Sequence, residues 1–208
     1  MNHLALFNGI GGFQLAAAWC GWNNVAHVEI DNFCNKVAAM HFPESKCYGD
    51  IKTFNGKQYA GSIDIISGGF PCQDISLAGK GAGLSGERSG LWYEYHRVIS
   101  EIKPSYCVIE NVPALRSRGL DEVLRSLYEI GYDAEWHCIP ATYVGAPHRR
   151  DRIWIVAYAF SERLERYSWD VQTKQNGYVA EAGICDRQYP EGWWVTEPAV
   201  GRVANGIS

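Results

Sequence analysis

Residues 4–12 read LALFNGIGG, an apolar run that passes directly into a glycine-rich turn. The run favours a buried β-strand at 4–7, and apolar residues spaced three or four apart favour a helix at 12–20. Glycines between a strand and a helix let backbone N–H groups approach a ligand closely. The stretch therefore predicts an α/β fold with a ligand site at the end of its first strand.

The same alternation of apolar runs and helical spacing continues beyond this stretch. Predicted strands lie at 4–7, 25–30, 63–67, 106–109, 136–139 and 153–158, and predicted helices at 12–20, 32–41, 91–102 and 120–130. Such alternation is typical of a mostly parallel sheet with helices on both faces. Sheets of this kind bind ligands at the carboxyl ends of their strands.

The composition is that of an ordinary globular protein. The chain has 208 residues, 47% of them hydrophobic and 20% charged, and a net charge of −4. This acidic balance excludes polybasic binding by the whole chain and confines any nucleic-acid contact to a local basic patch. The sequence shows neither a run of 18 apolar residues nor a basic leader, so we expect no membrane span, no signal peptide and a cytoplasmic location.

An acidic residue follows the second predicted strand at the spacing expected for ribose binding. Glu29 lies 20 residues after Gly9, where a carboxylate can accept hydrogen bonds from ribose hydroxyls. Gln14 leaves the G-x-G-x-x-G pattern incomplete, which favours a nucleoside ligand without a pyrophosphate. The alternative is a turn that only connects a strand to a helix. Asp50 could likewise reach an adenine amino group or simply form an Asx turn.

One of the seven cysteines has an unusual setting. None is spaced as C-x-x-C, so we expect neither a zinc site nor a disulfide framework, and most should be buried packing residues. Cys72 instead follows a predicted strand and the rigid Pro71, and it precedes a glycine-rich segment at 73–90 that we interpret as a functional loop. Cys72 is therefore a candidate nucleophile, with a packing role as the alternative.

Charged residues mark the ends of two further predicted strands. Glu110 follows the apolar run 106–109, and a carboxylate there is costly to bury unless it is paired or has a raised pKa. Glu110 is thus a candidate proton donor, or else a surface residue. The segment 147–152, PHRRDR, precedes the strand at 153–158 and offers arginine donors for a base carbonyl or phosphate, or else forms a solvated turn.

Taken in order, these motifs resemble those of DNA cytosine-5 methyltransferases. They are FNGIGG at 7–12, VEID at 28–31, GDI at 49–51, GGFPCQ at 68–73, ENV at 110–112 and PHRRDR at 147–152. The joint occurrence is far more specific than any single motif. The resemblance implies a Rossmann-like S-adenosylmethionine-dependent methyltransferase fold, S-adenosylmethionine as methyl donor, double-stranded DNA as substrate and no metal. It also implies a bacterial or phage-infected cell and a link to restriction-modification.

The resemblance also implies a role for each matching residue. The donor pocket would comprise Phe7, Gly9, Ile10 and Gly11, with Glu29 on the ribose, Ile30, Asp50 and Ile51 around the adenine, and Pro71 and Leu91 beside the methionine part. The catalytic residues would be the nucleophile Cys72, Glu110 on the base, Arg152 on its carbonyl oxygen and Arg150 in support. The DNA-binding residues would be Gln73, Ser76, Lys80 and Arg88.

The resemblance predicts two parts of unequal size. Residues 1–158 would form the catalytic S-adenosylmethionine-binding domain, and residues 159–208 a short polar extension with a minimal or vestigial target-recognition region. We expect a short phage-type member that lacks most of that region and the last C-terminal motif, which a protein partner or oligomer would supply. The alternative function is a catalytically impaired binding module that acts as a decoy or regulatory partner. A thiol-dependent hydrolase is a more distant alternative, because no histidine is placed by sequence to serve Cys72.

Overall fold

The computed structural model describes residues 1–71 and 90–160, which form one seven-stranded sheet and five α-helices. The strands are β1 (Asn2–Leu6), β2 (Asn23–Val28), β3 (Lys46–Tyr48), β4 (Ile65–Gly69), β5 (Tyr106–Asn111), β6 (Tyr132–Pro140) and β7 (Asp151–Ala159). The helices are α1 (Gly12–Trp19), α2 (Asn32–His41), α3 (Gly90–Ile102), α4 (Leu115–Arg118) and α5 (Leu120–Glu129). Short 3₁₀ turns cover Gly56–Tyr59 and Ala141–Val144.

The strand order is β3-β2-β1-β4-β5-β7-β6. Strands β1 to β5 pair in parallel, and β7 runs antiparallel between β5 and β6. From β1 the chain proceeds to one side of the sheet and then returns to build the other side from β4. Ligands of open α/β sheets bind where the order reverses, so the crevice between the ends of β1 and β4 is the expected site.

Helices cover both faces of the sheet, as the sequence predicts. Ile153 and Ile155 of β7 point into the main apolar core, which α3 and α5 also enter with residues such as Val98 and Leu127. The intervening Trp154 points to the opposite face, because side chains alternate along a strand, and its ring lies 6.1 Å from that of Phe13 on α1. Helix α1 therefore covers one face, and α3 and α5 cover the other.

Most of the predicted elements agree with the observed ones, but β3 has no predicted counterpart, and the central strand β4 lies at Ile65–Gly69 and not at 63–67. Strand β6 extends well beyond the predicted 136–139, and its residues 135–139 are exposed. An edge strand needs no apolar pattern, because pairing with β7 along its whole length defines it. The short helix α4 also lies outside the predicted elements, since four residues give too little periodicity to detect.

The prediction that most cysteines are buried is wrong for the described residues. Of the five cysteines they include, Cys107 is buried, Cys34 is half-buried, and Cys20, Cys47 and Cys138 are exposed. The exposed thiols lie at the end of α1 and on the edge strands β3 and β6, where no further layer covers them. Over residues 1–71 and 90–160, each helix is too short or too polar to cross a lipid bilayer.

Candidate active site

The turn between β1 and α1 adopts backbone conformations that favour glycine. Gly9 has φ of 53° and Gly11 of 97°, and Phe7 before them has φ of 51°. A side chain at Gly11 would meet the ring of Phe42, whereas the space in front of Gly9 is open. The turn therefore presents its main chain at the carboxyl end of β1, which is the feature that a closely approaching ligand requires.

Glu29 lies beside this turn, as its spacing predicts. One carboxylate oxygen accepts the Gly9 N–H at 2.8 Å, and the other accepts the Asp31 N–H at 2.8 Å. The carboxylate thus links the glycine turn to the start of α2. Each ionised carboxylate oxygen can accept a second hydrogen bond, so Glu29 can still bind the hydroxyl groups of a ligand.

The surroundings of the turn fit a nucleoside. Ile10 and Ile30 are 61% and 71% exposed, which leaves apolar side chains beside Glu29 that a flat base could cover. Asp50 forms the Asx turn that was the alternative to an adenine contact, because its Oδ1 accepts the Lys52 N–H at 2.9 Å. Ile51 is buried in the core directly after it. The open glycine turn, the carboxylate and the apolar flank together suit S-adenosylmethionine.

Beneath the turn lies a buried polar network that the sequence did not reveal. Asn8 Nδ2 donates to Gln14 Oε1 at 2.7 Å, and Gln14 Nε2 donates to Ser45 Oγ at 2.8 Å. Ser45 Oγ also lies 3.0 Å from His27 Nδ1, and burial lowers the pKa of His27. The only sign of this network in the sequence was Gln14, which replaces the third glycine of the G-x-G-x-x-G pattern. The Gln14 side chain joins α1 to β2 and to the loop before β3.

At the end of β5, Glu110 forms an ion pair with Arg152 of β7. Arg152 Nε lies 2.7 Å from Glu110 Oε1, and both side chains are mostly buried. Gly69 pairs with Glu110 across the sheet, and any side chain at 69 would collide with the Glu110 carboxylate. Burial raises the pKa of Glu110, while the charges of Arg152 and Arg150 oppose that rise. The carboxyl group is therefore poised to take up or release a proton.

The arginine segment is divided by the structure. Arg149 forms an exposed ion pair with Asp151 at 3.0 Å. Arg150, with φ of 33°, instead lines the same cleft as Glu110 and Arg152, and its charge acts on Glu110. Glu110, Arg150 and Arg152 line a cleft of about 670 Å³, a volume typical of a small-molecule site. The cleft is also lined by residues of α1 and of the sheet, among them Phe13, Ala16, Trp22, Val108 and Trp154.

The end of β4 is fixed by a residue that the sequence motifs contained but did not explain. Asn111 Nδ2 donates to the Phe70 carbonyl at 3.0 Å, and its Oδ1 accepts the Val112 N–H at 2.8 Å. This buried amide therefore orients the chain that leads into Pro71, which is exposed. Leu91 lies half-buried at the start of α3. The predicted residues Cys72, Gln73, Ser76, Lys80 and Arg88 lie outside the described residues.

The described candidates therefore gather along one edge of the sheet. The glycine turn follows β1, Pro71 follows β4 and Glu110 ends β5, on three neighbouring parallel strands. Two strand spacings, roughly 10 Å, separate the first from the last. Within the described ranges, no group of three His, Cys, Asp or Glu side chains could bind a metal ion. The edge combines an open glycine turn with a carboxyl group of raised pKa.

Comparison with known proteins identifies the family of the chain. A family model for C-5 cytosine-specific DNA methylases matches residues 1–188. The chain is 30% identical over 192 residues to the Type II methyltransferase M.HhaI of Haemophilus parahaemolyticus, covering 90% of this chain and 58% of that protein. It is 28% identical over 186 residues to the orphan methyltransferase M.Rho11sI of Bacillus phage rho11s, covering 86% and 37%. The chain thus spans about half of the length of these relatives, or less.

Solved structures support the fold. A prophage-encoded Escherichia coli protein described as a DNA modification methyltransferase has a TM-score of 0.66 and 28% identity, covering 78% of this chain and 48% of that one. The Dnmt2 methyltransferase of S. pombe has a TM-score of 0.66 and 21% identity, covering 77% and 51%. These similarities confirm the methyltransferase fold that the sequence predicts. With the family match over residues 1–188, they show that the chain belongs to the C-5 cytosine-specific DNA methylase family.

Proposed function

We propose that this chain carries the donor-binding and catalytic part of an enzyme that methylates carbon 5 of cytosine in double-stranded DNA. The observation that carries the proposal is the Glu110–Arg152 pair, which lies on the same sheet edge as the glycine turn. Members of the family use S-adenosylmethionine, which supplies an electrophilic methyl group carried on a sulfonium.

The donor would bind across the ends of β1, β2 and β4. The glycine turn would let backbone N–H groups approach it, and Glu29 would accept hydrogen bonds from its ribose hydroxyls. The other residues proposed for this pocket are Phe7, Ile10, Ile30, Asp50, Ile51, Pro71 and Leu91. The exposure of Ile10 and Ile30 supports this assignment, because a bound adenosine would remove both side chains from water.

Catalysis would begin with Cys72, the residue after Pro71. Its thiolate forms a bond to carbon 6 of cytosine, and the ring electrons move towards N3, which takes a proton from Glu110. Carbon 5 would then be enamine-like and attack the sulfonium methyl group, which releases S-adenosylhomocysteine. Loss of the carbon 5 proton to a base would expel the thiolate, and return of the N3 proton to Glu110 would leave 5-methylcytosine. Burial of Glu110 favours the protonated carboxyl group that this route needs.

Arginine side chains would position the base. Arg152 would donate to the cytosine carbonyl oxygen, and Arg150 would support this contact from the rim of the cleft. The thiolate and the methyl donor must both reach the cytosine ring, which is not possible while the base is stacked. The cytosine would therefore be flipped out of the DNA duplex, at a cost of roughly a few kcal/mol. Gln73, Ser76, Lys80 and Arg88 would contact the DNA around it. With a net charge of −4, such contacts must be local.

The proposal divides the chain at the end of the last described strand. β7 ends at Ala159, which supports a catalytic domain at 1–158 and a polar extension at 159–208. We further propose that a protein partner or a second copy of the chain takes part in target recognition. The cytoplasm of a bacterial or phage-infected cell would provide both DNA and methyl donor.

Transfer of tritiated methyl from S-adenosylmethionine to DNA tests this function. We expect labelled 5-methylcytosine from the native chain, no label from Cys72→Ser, and unchanged labelling from Cys138→Ser, whose thiol is exposed on β6. DNA that contains 5-fluorocytosine should trap a covalent adduct at Cys72, because fluorine blocks the loss of a proton from carbon 5. A folded protein that binds donor and DNA, yet neither labels nor traps, would instead be the binding module.

A further inference from the structure

Helix α3 contacts the segment that follows β3 through a charged pair on its surface. Arg97 donates from Nη2 to the Ile51 carbonyl at 2.8 Å and from Nη1 to the Phe54 carbonyl at 3.0 Å. Glu101, one helical turn later, accepts the Gly56 N–H at 2.8 Å. Two side chains of α3 thus bind three backbone groups of residues 51–56, which we call the 51–56 segment.

The pair is itself tightly organised. Arg97 Nη1 lies 3.0 Å from Glu101 Oε1, and Arg97 Nη2 lies 2.7 Å from Glu94 Oε2. Each of the three guanidinium nitrogens has a hydrogen-bond partner, which fixes the plane of the group. Glu101 is the better buried of the two carboxylates, with 17% of its side chain exposed against 28% for Glu94. A planar, fully used guanidinium is a rigid support.

The segment fits against α3 from its own side as well. Gly56 is buried, and a methyl group there would lie 2.8 Å from Glu101 Oε2. Ile51 and Phe54 are each only 4% exposed, and the Phe54 ring packs edge-on against Tyr48 of β3 at 4.8 Å. The position of the 51–56 segment is therefore fixed by the core below it and by the Arg97–Glu101 pair beside it.

The position of this segment affects the donor site, because the segment begins at the proposed adenine site. Asp50 and Ile51 are the residues assigned to adenine, and the carbonyl of Ile51 is the one that Arg97 binds most closely. We propose that Arg97 and Glu101 are positioning residues that fix the Asp50–Ile51 turn and so set the affinity and the base selectivity of the donor site. The inference rests on the proposed function, since it assumes that a donor binds there.

The test compares ligand binding by three variants of the full chain. Calorimetry would give dissociation constants for S-adenosylhomocysteine and for its inosine analogue, which replaces the adenine amino group by a carbonyl oxygen. Arg97→Met removes the donors but keeps the apolar stem. Gly56→Ala disturbs the contact between the 51–56 segment and Glu101, because the added methyl group meets Glu101 Oε2. Lys57→Met is the matched control, because it removes one cation beside the segment and the Lys57 side chain is exposed.

We expect Arg97→Met and Gly56→Ala to weaken S-adenosylhomocysteine binding by about tenfold or more and to reduce the preference for adenine over hypoxanthine. Lys57→Met should keep both the native affinity and the native preference. A folded Arg97→Met protein with the native preference overturns the inference, even if its affinity falls. If Arg97→Met does not fold, Gly56→Ala decides by the same criterion. A native chain that binds no S-adenosylhomocysteine would reject the proposed function itself.

Discussion

The two halves of the sheet edge are stabilised by different kinds of interaction. In the donor half, which comprises the ends of β1 and β2, neutral side chains beneath the glycine turn form a buried network through Gln14. In the base half, which comprises the ends of β4 and β5 and the start of β7, the central contact is the Glu110–Arg152 ion pair.

This difference suits the two tasks proposed for the edge. A binding turn benefits from fixed geometry, which the buried neutral hydrogen bonds beneath it and the bond from the Gly9 N–H to Glu29 provide. A proton donor instead needs a pKa that its surroundings can adjust. Glu110 has this property, because burial and two arginine charges act on it in opposite directions. Variants that affect one half should therefore leave the other half intact.

The largest effect is expected in the base half. Glu110→Gln keeps the shape of the side chain but removes the proton donor, so the turnover number for methyl transfer should fall by about 10²–10⁴-fold. Binding of S-adenosylhomocysteine should stay within twofold of the native value, roughly, since the donor half is unchanged. Single-turnover kinetics and calorimetry measure the two quantities. Loss of donor binding in the folded variant would contradict the separation of the halves.

Gln14→Ala is the matching change in the donor half. It removes the acceptor of Asn8 Nδ2 and one of the two partners of Ser45 Oγ, and it opens a cavity, so the free energy of unfolding should fall by about 2–4 kcal/mol. Urea titration followed by tryptophan fluorescence measures this change. Leu15→Ala is the control, because Leu15 is 43% exposed on the same helix and should change stability by less than about 0.5 kcal/mol. Equal losses would show that the network has no special role.

The glycine turn allows a finer comparison. An added methyl group meets no atom within 4 Å at either Gly9 or Gly12, but only Gly9 has positive φ. Gly9→Ala should therefore cost about 1–2 kcal/mol of stability, while Gly12→Ala, inside α1, should stabilise by a few tenths, roughly. Thermal unfolding of both variants checks the contrast. Similar values would mean that backbone conformation does not determine the choice of glycine at 9.

The smallest effect concerns pH. Burial lowers the pKa of His27 and of His3 below the ordinary value of 6.5, so both are more easily protonated in the unfolded chain. Their contribution to stability is complete above pH 6.5, roughly, and is lost as the pH falls through their folded pKa values. The raised pKa of Glu110 has the opposite sign, since its contribution is present at low pH and is lost as the pH rises.

Urea midpoints measured between pH 7.5 and 5.5 would test the histidine contribution. The native midpoint should fall with the pH, and His27→Gln should reduce the slope. His41→Gln should leave the slope unchanged, because His41 is exposed at the end of α2. A slope that is the same in all three proteins would assign the pH dependence to other groups.

Most of the helices and strands, and the candidate residues at their ends, could be predicted from the amino-acid sequence. The alternation of periods, the glycine turn and Glu29 after β2 were all readable, because each depends on residues close together in the chain. The family motifs then indicated Glu110 and Arg152 as members of one site. Strand β6 was only partly found, because its residues are exposed and lack the alternation that a half-buried strand shows.

Contacts between residues that are distant in the chain could not be predicted in this way. The Glu110–Arg152 pair depends on β7 running antiparallel beside β5, and the bond between Gln14 and Ser45 joins residues 31 positions apart. The contact of Arg97 with Ile51 joins residues 46 positions apart. Local sequence patterns cannot predict such contacts. The contacts depend on the order in which the strands pair and on how the elements pack, which bring together residues that are far apart in the chain.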